Sequence, residues 1–164
     1  MKINRVVVGS LETNCYVLEL NNKCLVIDPG DEYEKIKEVI GDKEIVGVII
    51  THYHFDHIGA LDNFNKSLLL DKNNLEEKEY TIDNFNFEII YTPGHKEDAI
   101  TVYLKKEKVM FTGDFIFKGT IGRTDLPGGS EKDMMKSLEK IKNYDKNIKI
   151  YPGHGEYTYL SNTI

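Results

Sequence analysis

Thr51-His52-Tyr53-His54-Phe55-Asp56-His57 sets four side chains of metal-ligand type within six positions. Histidine nitrogen and aspartate oxygen are borderline-to-hard donors, suited to zinc, iron or manganese. The run directly follows residues 45–50, a continuous apolar stretch that predicts a strand buried on both faces. A turn leaving a strand can aim alternate side chains at two different points. His52 and His54 can then serve one metal, and Asp56 and His57 another.

The rest of the chain repeats this arrangement. Only five histidines occur in 164 residues, and the two outside the cluster, His95 and His154, each follow Pro-Gly. Thr92-Pro93-Gly94-His95 follows a predicted strand at 86–91. Thr112-Gly113-Asp114 follows one at 108–112, and Tyr151-Pro152-Gly153-His154 follows one at 148–151. Each candidate ligand therefore sits just past a strand end, where glycines let backbones approach. Seven donors suit two metals that share a carboxylate. The even division gives His52, His54 and His95 to the first and Asp56, His57 and His154 to the second, with Asp114 bridging. Open positions then remain for a solvent molecule whose pKa two cations would depress, so hydroxide is available at neutral pH. No protein nucleophile is needed, and none is signalled. There is no Gly-x-Ser-x-Gly elbow and no phosphate-binding glycine signature.

Composition narrows the class. Hydrophobic residues make up 40% and charged residues 29%, which fits one folded domain over 1–164. The net charge of −6 argues against non-specific nucleic-acid binding. No apolar run approaches the roughly 20 residues of a membrane span. No signal-peptide layout opens the chain, so the expected location is cytoplasmic. Cys15 and Cys24 fall in two predicted strands, 14–20 and 23–28, joined by an Asn21-Asn22 hairpin turn. That register separates the sulfurs by about four residues, roughly 13 Å, beyond disulfide reach.

Periodicity places the other elements. Strands are predicted at 3–8, 16–20, 25–27, 45–50, 85–91, 100–104, 108–112 and 148–151. Tyr33, Ile36, Val39 and Ile40 share one face of a helix over 31–40, with Asp31 as its cap and Gly41 at its stop. Ile58, Leu61 and Phe64 predict a short helix. Ser130 and Asp133 open a capping box, and Met134, Met135, Leu138 and Ile141 give the following helix its apolar stripe. Residues 71–84 carry no clear signal, and 115–129 are expected to form a glycine-rich loop. Two sheets with helices outside would bury these apolar runs.

These residues resemble the metallo-β-lactamase superfamily. His-x-His-x-Asp-His at 52–57 is its hallmark, and Gly94-His95, Gly113-Asp114 and Gly153-His154 follow in order and spacing. Gly122-Arg123-Thr124-Asp125-Leu126-Pro127-Gly128-Gly129 and Pro152-Gly153-His154-Gly155 are similar to the hydroxyacylglutathione hydrolase (glyoxalase II-like) branch. Thr13-Asn14-Cys15-Tyr16 and Ile27-Asp28-Pro29-Gly30 match it as well. The resemblance implies an α/β fold, an αββα sandwich of two mixed β-sheets with helices on the outer faces. It implies two divalent metal ions, zinc first and iron or manganese next, and hydrolysis of a small-molecule thioester of a hydroxy acid. Asp56 would bind a metal and orient the hydroxide as the catalytic carboxylate.

The resemblance has three departures. The chain ends ten residues past His154, without the helical extension that supplies glutathione contacts in longer members of the branch. Lys96-Glu97-Asp98-Ala99 replaces the family's Thr-Pro-Gly-Ser after His95, and its charges read first as a solvated loop. Glu156 and Tyr157 occupy the turn after His154. Arg123 and Asp125 read as an ion pair that fixes the Asp114 loop, ahead of a substrate-binding role. Lys118 reads as exposed. The alternative activity within the superfamily is a mononuclear iron persulfide dioxygenase. A metal-holding module without catalysis is disfavoured by the complete ligand set.

Overall fold

Asn21 and Asn22 both take positive φ, 51° and 61°, the geometry of a tight hairpin turn whose twist matches the flanking strands. A computed structural model describes residues 1–163. The turn joins β2 (Thr13–Leu20) to β3 (Lys23–Ile27), with Leu20 opposite Lys23 and Glu19 opposite Cys24, as the sequence predicts. β1 (Lys2–Val8) pairs antiparallel with β2. Helix α1 (Tyr33–Ile40) then crosses over to β4 (Glu44–Ile49), which lies parallel to β3, and short α2 (Phe55–Ile58) follows it. β5 (Leu69–Leu70) completes a five-stranded mixed sheet in the order β1-β2-β3-β4-β5.

The second sheet has the order β13-β12-β9-β8-β7-β6. Its strands are β6 (Glu79–Ile82), β7 (Phe85–Tyr91), β8 (Ile100–Leu104) and β9 (Val109–Gly113). A small hairpin of β10 (Ile116–Phe117) and β11 (Thr120–Ile121) follows, then α3 (Glu131–Ile141). β12 (Lys149–Pro152) returns parallel to β9, and β13 (Thr158–Tyr159) lies on its outer edge.

Alternation along the strands sorts the apolar residues into layers. Tyr16, Leu18, Leu25, Ile27 and Ile49 meet Phe87, Ile89, Ile100, Val102 and Phe111 between the sheets. Val17, Val26, Val48 and Ile50 face the other way, onto Ile36, Ile40 and Phe64. Ile90, Met110 and Ile150 face Met134, Leu138 and Ile141 of α3. The result is the expected αββα order, and burial of each large apolar side chain contributes roughly 1.5–3 kcal/mol to it.

Several local expectations are corrected. The residue before α1 is Glu32, in the left-handed region at φ 46° with no side-chain cap bond, so Asp31 is not the cap. Asp31 Oδ1 accepts instead from the Glu32 N–H. Gly41 does end α1, donating its N–H to Lys37 O. Ile58, Leu61 and Phe64 do not share one helix, because α2 stops at Ile58 and a single 3-10 turn spans Leu61–Asn63. The capping box is half made. Ser130 Oγ accepts from Asp133 N–H, while the Ser130 N–H goes to Gly94 O. Alternation of Phe85, Phe87, Ile89 and Tyr91 predicts a half-buried strand, but β7 is buried on both faces near its end because Ile90 lies under α3. Residues 71–84 contain β6, and the 115–129 loop contains the β10–β11 hairpin.

Cys15 and Cys24 are free and fully buried. Burial raises both thiols, Cys24 to about 11. At pH 8 the reactive thiolate of Cys24 is then roughly a hundredfold scarcer than in the unfolded chain. A colorimetric thiol reagent should leave both cysteines unmodified over minutes in the native protein and titrate two per chain in denaturant.

Candidate metal centre

Loops leaving the C-terminal ends of β4, β7, β9 and β12 converge at one edge of the sandwich. β4 delivers His52 and His54, and α2 carries Asp56 and His57. The second sheet delivers His95, Asp114 and His154. All seven residues singled out in the sequence come together here.

Their donor atoms fall into two groups. His52, His54, His95 and Asp114 offer atoms that all lie within 4.8 Å of one another, and so do Asp56, His57, Asp114 and His154. Asp114 belongs to both. Its Oδ2 is 3.5 Å from His95 Nε2 and 3.7 Å from His52 Nε2, and its Oδ1 is 3.3 Å from His57 Nε2. His154 Nε2 sits 3.1 Å from Asp56 Oδ2 and 3.4 Å from Asp114 Oδ2. A third set, Asp28 with His52 and His57, meets the same distance limit. The Asp28 oxygens are already engaged, however. Oδ1 accepts from the Thr51 N–H at 2.8 Å, and Oδ2 accepts from Thr51 Oγ1 at 2.6 Å and His57 Nδ1 at 2.8 Å.

Ring orientation is fixed from outside. His57 Nδ1 is held by Asp28, His95 Nδ1 by Arg123 O at 2.8 Å and His154 Nδ1 by Leu11 O at 3.0 Å. His52 Nδ1 lies 3.1 Å from Thr51 Oγ1, whose own hydrogen goes to Asp28. An outward Nδ1–H aims Nε2 of these four rings inward, where it can act as a ligand once it carries no proton. His54 differs, turning Nδ1 to within 3.0 Å of His95 Nε2. Among the described residues, four side-chain atoms are buried with no hydrogen-bond partner, His52 Nε2, His57 Nε2 and Asp114 Oδ1 in this cluster and Asp98 Oδ1 outside it. The three in the cluster call for an ion, and the donor set is suited to a divalent metal.

The charges respond to this crowding. Burial disfavours the ionised Asp56 and Asp114, but His154 and His57 outweigh it, holding Asp56 at about 2 and Asp114 well below the usual carboxylate range. Burial also opposes protonation of His57 and His154, yet the carboxylates facing them raise both to about 10. His52 is lowered by burial and then by the His57 ring. His54 is lowered by burial, by His95 and in part by Lys96.

Close backbone approach is built in. A Cβ at Gly153 would strike Asp114 Oδ1 and the His57 ring. Contacts from β2 tie this edge together, reaching α2 on its own side and the backbone around His154 in the second sheet. Thr13 Oγ1 donates to Asp56 Oδ2 at 3.0 Å, Asn14 Nδ2 to Pro152 O and Gly155 O, and Tyr16 Oη to Pro152 O. These bonds give Thr13-Asn14-Cys15-Tyr16 its physical purpose.

A cavity of about 530 Å³ opens over the cluster, with Leu11, Phe55, Leu126 and Pro127 among its lining and Lys96 and Arg123 on its wall. Phe55 is 75% exposed. Arg123 Nε and Nη2 donate to both Asp125 oxygens, at 2.7 and 2.8 Å, so the loop pair is present as expected. Lys118 is exposed, 3.8 Å from Glu156. The reading of 96–98 as a solvated loop is corrected. Glu97 is exposed, but the Lys96 and Asp98 side chains are only 19% and 23% exposed, and Asp98 Oδ2 accepts from the Tyr53 N–H between His52 and His54.

The sequence reading passed over Asp28 as a site residue. It is 2% exposed and takes positive φ, 54°, a conformation non-glycine residues rarely adopt. The available signal was an acidic residue closing the apolar run Leu25-Val26-Ile27, just before Pro29-Gly30.

The chain belongs to the metallo-beta-lactamase superfamily, whose family model matches residues 8–69 and 66–154. Its relatives include the hydroxyacylglutathione hydrolase GloC of Haemophilus influenzae, to which it is 31% identical, with 98% of this chain and 93% of that protein aligned. It is also similar to the crystal structure of the BLEG-1 B3 metallo-beta-lactamase, with TM-score 0.91, 27% identity and 98% and 95% of the two chains covered. A di-iron-bound form of TTHA1623 superposes with TM-score 0.86 at 27% identity, covering 96% and 95%. Among the described residues, no helix is long and apolar enough to cross a membrane.

Replacing Asp28 by Ala would strip the partner from His57 Nδ1 and the Thr51 N–H together. Removing one member of a buried charged pair costs about 3–5 kcal/mol. A denaturant titration of Asp28→Ala should show a loss of that order, and a loss under about 1 kcal/mol would show that the carboxylate does not organise this edge.

Proposed function

We propose that the protein is a single-domain, metal-dependent hydrolase that cleaves the thioester of a small hydroxy acid in the cytoplasm. One observation carries the reading. Two four-residue donor groups share the Asp114 carboxylate at the floor of an open cavity. His52, His54 and His95 would hold one divalent cation, and Asp56, His57 and His154 the other, with Asp114 between them. Zinc suits this set of nitrogen and carboxylate donors, and iron suits it too. When bound, two such cations supply hydroxide near neutral pH and polarise a carbonyl oxygen.

The protein's own groups do the rest. Asp56 stays ionised at neutral pH and is fixed by Thr13 Oγ1, so its carboxylate can accept a hydrogen bond from a reacting water and orient it. Leu11, Phe55 and Leu126 offer apolar surface to the acyl or thiol portion of a thioester. The similarity to hydroxyacylglutathione hydrolase GloC favours a thioester over a β-lactam. The complete second donor group favours hydrolysis over mononuclear iron persulfide chemistry.

The deciding experiment combines elemental analysis of the purified protein with a thioester panel assayed before and after chelation. Two metals per chain and turnover abolished by the chelator are expected. One iron per chain with oxygen uptake would instead establish the oxidoreductase. His54→Ala should lower metal occupancy and abolish hydrolysis; retention of both would place the site elsewhere. Asp114→Ala should lose the two metals together, and loss of only one would refute the shared carboxylate.

A further inference from the structure

We propose that Lys96 anchors a negatively charged group of the substrate, so that the site selects anionic thioesters. This inference rests on the hydrolase reading and names the charge its substrate carries.

Two cations stand on the cavity wall, Lys96 and Arg123. Arg123 is paired with Asp125 through two of its five donors, at Nε and Nη2, in an exposed loop. Lys96 differs. Its ammonium lies 3.4 Å from Asp98 Oδ2 and 3.5 Å from Glu97 Oε1, both longer than a well-formed charge-assisted hydrogen bond. The Lys96 side chain is only 19% exposed and lines the cavity next to His95, so it is packed into the wall instead of extending into solvent.

The neighbouring carboxylates are not equivalent. Asp98 Oδ2 is committed to the Tyr53 N–H at 3.0 Å, which ties the His95 loop to the His52–His54 segment. Glu97 is 64% exposed, and the Lys72 ammonium binds only its backbone oxygen. Its carboxylate lies against Gly128 and 3.5 Å from Lys96 Nζ, where it competes for the ammonium with an anion entering the cavity. Around them the lining at Leu11, Phe55, Leu126 and Pro127 is uncharged. A substrate with an apolar body and an anionic end matches this surface, with Lys96 taking the charge.

Removing Lys96 and removing Glu97 should then act in opposite directions. The metal-loaded full chain is assayed with S-lactoylglutathione, which is anionic, and with S-lactoyl-N-acetylcysteamine, which carries the same acyl group on an uncharged thiol. The readout is the ratio of their kcat/KM values. Lys96→Met should lower this ratio about tenfold through KM, and Glu97→Gln should raise it severalfold. Rising salt should erode the wild-type ratio and leave that of Lys96→Met flat. An unchanged ratio in Lys96→Met, or shifts of the same sign in both variants, would overturn the anchor.

Calorimetric binding of S-methylglutathione, which has no thioester to cleave, separates this inference from the hydrolase reading. Opposite shifts in its affinity without turnover of either thioester would sink the hydrolase and keep the anchor. Turnover of both thioesters, with S-methylglutathione affinity indifferent to Lys96, would do the reverse.

Discussion

A single buried carboxylate holds the site edge of this protein together. Asp28 closes β3 in a left-handed conformation that would be costly without compensation. The compensation is three charge-assisted bonds, to Thr51 N–H, Thr51 Oγ1 and His57 Nδ1. Through Thr51 the contact fixes the start of the histidine segment, and through His57 it fixes the end. Thr51 O also accepts from Ile100 N–H of the second sheet, so the same residue registers one sheet against the other. The position of Asp28 thus propagates to both ends of the His52–His57 segment and, through Thr51, to β8.

That propagation explains why chemistry gathers at a sheet edge. Strands are stiff because their ladders and two buried faces constrain them, so the first residues beyond a strand inherit its precision. His52, His95, Asp114 and His154 all lie within four residues of a strand end. Thr13, Asn14 and Tyr16 on β2 reach across to Asp56 and to the backbone around His154. The two sheets therefore meet through hydrogen bonds at the site and through apolar packing elsewhere. Polar contacts carry direction where geometry matters, and the apolar core between the sheets supplies the bulk of the stability.

The layers and the ligand-type residues were legible in the sequence because both rest on local pattern. Alternation in Phe85, Phe87 and Ile89 encodes the inner face of β7, and Asn21-Asn22 encodes the hairpin and its register. Ile90 was not legible as core, since its burial depends on α3 arriving from 40 residues away. Asp31 illustrates the same limit. It has the chemistry of a cap, but the chain turns left-handed at Glu32 and moves its carboxylate off the helix end. Asp28 escaped notice for a related reason: an acid ending a strand looks like turn chemistry until Thr51 and His57 are seen around it. Lys96 and Asp98 looked solvated because charge usually is, and only the Asp98 bond to the Tyr53 N–H brings their loop onto the site.

The cluster itself is a conflict that local physics alone would not sustain. Five imidazoles and two carboxylates share a space where ring centroids approach to 4.2 Å. Burial and neighbouring rings keep His52 neutral, while carboxylates pull His57 and His154 toward protonation. Three buried ligand-type atoms, His52 Nε2, His57 Nε2 and Asp114 Oδ1, make no hydrogen bond of good geometry, although His57 and Asp114 face each other at 3.3 Å. A fold built for stability alone would replace such residues with apolar ones of similar volume. The outward hydrogen bonds to Asp28, Arg123 O and Leu11 O instead aim Nε2 of three rings inward, so a bound cation can take the place of the protons that the carboxylates draw onto His57 and His154. Binding that cation would convert the conflict into affinity, and the stability of the site edge would then rise with the concentration of the cation it holds.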